Sequence, residues 1–126
     1  MTLKVTALVI STVALTLASG TGFAGGRYAN PPVGMVETYD LCVKGLEAAQ
    51  KGDKDAALEN TKKARKISIE SYKEISTMPM EIAAMSTKKA LAAIDSGNVA
   101  GAVPELEHCV GKLKSEIDFY KSEGKL

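Results

Sequence analysis

Tryptophan is absent from this chain, and four tyrosines and two phenylalanines are its only aromatic residues. With alanine abundant and aromatics scarce, the composition favours helices packed closely against one another over a sheet. The single histidine, His108, is expected to face water, and no convincing Ser-His-Asp relay can be built around it. No carboxylates pair on a recognisable cleft and no glycine-rich loop could cradle a phosphate, so the residues point away from an enzyme. There are only two cysteines, Cys42 and Cys109, and neither belongs to a C-x-x-C or C-x-x-C-H motif, which removes a redox centre of that type and covalent haem. Excess charge is missing as well. Sixteen Lys and Arg face fifteen Asp and Glu, and removal of Lys4 with a leader would leave fifteen of each. A balance of zero offers no electrostatic attraction to nucleic acid.

The longest apolar run, Val5 to Leu17, covers 13 residues, and a helix crossing a bilayer needs ~20. Lys4 ahead of it and the small, polar stretch Ala18 to Ala24 behind it complete the three-part pattern of a secretory signal peptide. Small residues at Gly22 and Ala24 place cleavage after Ala24, with Gly20 as the fallback. The expected location is therefore the periplasm or the secreted medium, with no stable membrane span after cleavage. Residues 25–33 (GGRYANPPV) read as a flexible leader, since Gly and Pro both resist helix. Residues 34–122 then form one domain and 123–126 a tail.

Two short turns organise that domain. Gly52-Asp53 and Gly97-Asn98 lie 45 residues apart, each flanked by helical patterns. The glycine accepts the positive φ that ends a helix, and the Asp or Asn caps the next one. The first helix is expected from about Gly34 to Lys51 with Val36, Tyr39, Val43, Leu46 and Ala49 on its inner face. The second runs from about Lys54 to Ser76 with Leu58, Thr61, Ala64, Ser68, Tyr72 and Ile75 inward. Met78-Pro79 separates it from a third, about Pro79 to Ser96, with Met80, Ala84, Thr87, Leu91 and Ile94 inward. The fourth carries Val103, Leu106, Val110, Leu113, Ile117 and Tyr120, and Pro104 should either kink it or mark its true start near Val103. Four helices with short connections predict an all-α, up-down-up-down four-helix bundle made of two hairpins.

In that topology Cys42 stands ~15 Å and Cys109 ~18 Å from the end carrying the glycine turns. Two cysteines at nearly equal height on neighbouring helices of an exported protein predict a disulfide between the first helix and the last. Met35, Met78, Met80 and Met85 fall toward the opposite end. Their thioethers are soft donors suited to Cu(I), so these four residues, with His108, are the candidate metal ligands and copper the candidate cofactor. The alternative is that flexible methionines fill the irregular end of the core. Lys62, Lys63, Arg65 and Lys66 read as a solvated basic face.

The stretch Ala48-Ala49-Gln50-Lys51-Gly52-Asp53-Lys54-Asp55-Ala56-Ala57-Leu58 resembles the turn of a tetratricopeptide repeat, although the 45-residue spacing differs from the ~34 of that repeat. The chain after the leader also resembles the small metal-binding proteins of the bacterial periplasm, short exported bundles of Ala-rich hairpins with Gly-Asp turns. That resemblance implies a helical bundle, a periplasmic home and metal ligation, the last through histidines that this chain has reduced to one. The expected function is an exported, non-enzymatic binding or accessory protein for an unknown protein or small ligand. A copper-handling protein using the methionine-rich end is the alternative.

Overall fold

The computed structural model describes residues 28–126, so the signal-peptide reading of residues 1–24 lies outside the described residues. Helix α1 spans Met35–Gln50, α2 Lys54–Glu74, α3 Met78–Asp95 and α4 Ala102–Ser122, and a 3-10 turn at Val99–Gly101 precedes α4. No strand occurs among the described residues. Consecutive helices pack on one another and α1 packs on α4, closing a four-helix bundle with only slight contact across the diagonal.

The turns follow from local chemistry. Gly52 (φ 75°) and Gly97 (φ 88°) adopt the left-handed conformation that glycine accepts without penalty. The next residue's N–H then reaches back into the helix: Asp53 N bonds Ala48 O at 2.8 Å, and Asn98 N bonds Ala93 O at 2.9 Å. Both are Schellman closures. Asp53 accepts from Ala56 N at 3.1 Å to cap α2, and Asn98 accepts from Gly101 N at 3.0 Å to cap the 3-10 turn. Pro104 sits in the first turn of α4, which begins at Ala102. There its missing N–H is one that the helix would leave unbonded anyway.

The expected faces hold at Thr61, Ala64 and Ser68 on α2, at Met80, Thr87 and Ile94 on α3 and at Leu106, Leu113, Ile117 and Tyr120 on α4, while α1 is turned by one residue and other positions shift locally. On α1 the buried residues are Met35, Thr38, Cys42, Gly45, Ala48 and Ala49, while Val36 is exposed and Tyr39, Val43 and Leu46 are half-buried. On α2 they are Ala57, Thr61, Ala64, Ser68 and Ser71, with Leu58 and Tyr72 on the flank and Ile75 exposed. On α3 Ala83, Ser86 and Ala90 turn inward and Ala84 and Leu91 do not, and on α4 Cys109 replaces Val110. One residue is a rotation of about 100°, so the axis of the bundle is lined by small side chains. Larger ones such as Tyr39, Leu46, Leu58, Val103 and Val110 pack against this core from partly buried positions. Ile94, Leu106, Leu113, Met35 and Met80 are the large side chains that are fully buried.

Small residues inside permit close helix approach. At Gly45 an added Cβ would lie 2.8 Å from Thr61 Oγ1 across the α1–α2 contact. Alanine there gains about 1 kcal/mol of helix propensity, but overpacking a close contact costs about 1–3 kcal/mol. The obstacle is a short, fully buried side chain that has little room to move, so the cost should prevail. Gly45→Ala should lower stability by about 1 kcal/mol in urea unfolding, and adding Thr61→Ala should restore it. A double variant no more stable than the single one would place the strain elsewhere.

Candidate functional site

The helix packing brings two groups of residues together: the cysteine pair at mid-bundle and a cleft at the end opposite the glycine turns. Cys42 on α1 and Cys109 on α4 are both fully buried, and their sulfurs lie 2.7 Å apart. The expected proximity is present without the bond itself: the two cysteines are not joined, and their separation is longer than a disulfide yet shorter than the ordinary contact of two thiols. A disulfide would hold its sulfurs at about 2.05 Å. The hydrogen bond that the neutral Cys42 thiol makes with Cys109, burial and the repulsion between neighbouring thiolates, in that order, hold the Cys42 thiol far above an ordinary thiol's ionisation. Its thiolate, the reactive form, is therefore suppressed while the bundle stays closed.

The metal candidates do not converge in the same way. Met35 and Met80 are buried within the hydrophobic core, whereas Met78 and Met85 are more than half exposed on α3. His108 is exposed on α4. Among the described residues no group of three His, Cys, Asp or Glu side chains stands ready to hold a metal ion. Lys62, Lys63 and Lys66 are exposed, as a solvated face requires, but Arg65 is half-buried and donates from Nη1 to Ala84 O at 2.9 Å. That contact ties α2 to α3 and takes Arg65 out of the basic surface.

Residues 28–33, expected as leader, are strapped across the end of the bundle. Tyr120 donates its hydroxyl to Tyr28 O at 2.8 Å, Lys125 Nζ donates to Ala29 O at 2.6 Å, and the Tyr28 hydroxyl reaches Ser76 O at 3.4 Å. Gly34 makes the turn into α1 with φ 82°, and a Cβ there would collide with Ile67 Cγ2 at 2.6 Å. Between this strap and the C-terminal end of α2 lies a half-open cleft of about 370 Å³, lined by residues 28–33 together with Ser71, Glu74, Ile75 and Thr77. That volume falls at the lower end of the range for small-molecule sites.

Thr77 is the N-cap residue of α3, yet its side chain makes no capping bond. Its hydroxyl is buried and has no partner among the described residues, as is also true of Thr38 and Thr61. A forgone cap costs about 1 kcal/mol, and a buried hydroxyl without a partner costs about 1–3 kcal/mol. Of the three, only Thr77 lines the cleft. Sequence reading missed this site because its walls come from the leader and from helix ends, with no periodic motif to mark them. The one local signal was Thr directly before Met78-Pro79, a capping residue at a helix start.

No family model, no curated protein and no solved structure matches the chain. No helix among the described residues is long and apolar enough to cross a membrane.

The raised Cys42 ionisation has a signed consequence. A thiol held neutral in the fold stabilises it fully below the unfolded-state value, ordinarily about 9, and that stability is lost as pH rises above it. The reduced protein should therefore lose midpoint temperature between pH 9 and 11 faster than a Cys42→Ala, Cys109→Ala variant. Parallel curves would mean that the thiols ionise as easily in the fold as out of it.

Proposed function

We propose that the protein is an exported, non-enzymatic binding protein, a four-helix bundle clasped by a disulfide between α1 and α4. The observation that carries the clasp is the contact of two buried sulfurs contributed by the first and last helices. Thiol–disulfide exchange with a small disulfide in an oxidising compartment would close it. Cys42 and Cys109 together lose two protons and two electrons, and the external disulfide leaves as two thiols. Local opening must come first, because neither sulfur is exposed. The bond would span 67 residues and contribute about 4 kcal/mol in the chain-entropy model.

Binding is assigned to the cleft beneath the strap, a concavity that combines apolar walls with polar groups. Copper handling finds less support, since Met35 and Met80 serve the core while Met78, Met85 and His108 lie on the surface.

Protein recovered from the export compartment should show no titratable thiol after denaturation without reductant, and two after reduction. Reduction should also lower the thermal midpoint by roughly 15 °C or more. Two free thiols in the compartment-derived protein would overturn the clasp.

A further inference from the structure

We infer that the cleft beneath the strap takes a small organic ammonium ion carrying an apolar body. This rests on the reading of the protein as a binding module and names the chemistry of its ligand. The charge is chosen by the lining. Glu74 is the ionisable acid there, and among the described residues no Lys or Arg lines the cleft and Glu74 has no ion-pair partner. That carboxylate would repel an anion, whereas an ammonium group would be drawn to it.

The head group has a second partner. The Thr77 hydroxyl, on a residue 3% exposed, lines the same cleft with its hydrogen-bonding capacity unused among the described residues. That oxygen is closed to solvent, so an ammonium N–H would donate to it once the Thr77 side chain turns toward the cleft, while another donates to Glu74. The rest of the wall suits the body of such a ligand. Pro32, Val33 and Ile75 offer apolar surface, and Tyr28, 47% exposed at the rim, offers an aromatic face to a cation. Proline walls are rigid in φ, and the strap that carries them is pinned by Tyr120 and Lys125, so little ordering remains to oppose binding.

The test uses 2-phenylethylamine, with 2-phenylethanol as the neutral analogue and 3-phenylpropionate as the anion. Binding to the oxidised, signal-free protein is measured by calorimetry and by amide chemical shifts of residues 28–33 and 74–77. The amine should bind at these residues, and the alcohol and the acid at least about tenfold more weakly. Glu74→Gln should weaken amine binding by about tenfold or more, and Thr77→Val by a smaller factor. Glu74 is exposed and the Thr77 change is isosteric, so both variants should keep the wild-type spectrum elsewhere. If all three compounds bind alike, or if Glu74→Gln leaves the amine unaffected, the ammonium assignment falls while the binding cleft stands. If none of the three shifts these residues, the assignment and the cleft as a binding site fall together.

Discussion

The close approach of the helices, made possible by small residues along the bundle axis, is the constraint on which the other features depend. Gly45 against Thr61 is one such close approach, and the buried Ala57, Ala64, Ala83, Ala90 and Ala102 supply small side chains on the other helices. Bulky side chains at these places would hold the helices apart, because native cores are packed to near-crystalline density and admit little extra volume. The same closeness brings Cys42 and Cys109 into contact, since a cysteine is short and reaches across only where two helices nearly touch. It also explains why hydroxyl groups are tolerated inside. Thr87 and Ser68 return their hydrogen bonds to their own helices, at Ala83 O and Arg65 O, and need no partner across the core.

A thin, small-residue interior buries less apolar area per helix than a leucine-rich one, which raises the value of devices that join the elements by other means. The thiol pair links α1 to α4 at mid-height. Arg65 links α2 to α3 through Ala84 O. The strap links the beginning of the described chain to its last turn over separations of 92 and 96 residues. The cleft exists because the strap crosses the bundle end without filling it, and its one buried, unbonded hydroxyl sits where the strap, α2 and α3 meet.

Element boundaries and turns were legible because their causes are local. Gly52, Gly97, Asp53, Asn98 and Pro79 act on their own backbone and its nearest neighbours, and the helices begin and end within a few residues of the positions those residues imply. The faces were less legible. Val36, Tyr39, Val43 and Leu46 have the spacing of a core stripe, but Met35, Thr38, Cys42 and Gly45 have the same spacing one residue earlier. Hydrophobicity alone prefers the first set and packing selects the second. Of the candidate site residues, the cysteines could be paired by counting from the turns. The methionines could be brought to one end but not sorted into core and surface, because that depends on rotation about the helix axis.

The sequence by itself determined the helices, their order and their turns, since capping, glycine conformation and proline's missing N–H act within a few residues. It also determined that the two cysteines share a level, since rise per residue is constant along a helix. Only the tertiary structure decided the rotation of α1 and the edges of the other buried faces, because that choice compares the volumes of side chains from several helices at once. It alone decided that residues 28–33 lie against the bundle, for the groups that hold them belong to α4, its C-terminal tail and the α2–α3 connection. The cleft belongs to that second class: its walls become neighbours only when the two ends of the chain meet.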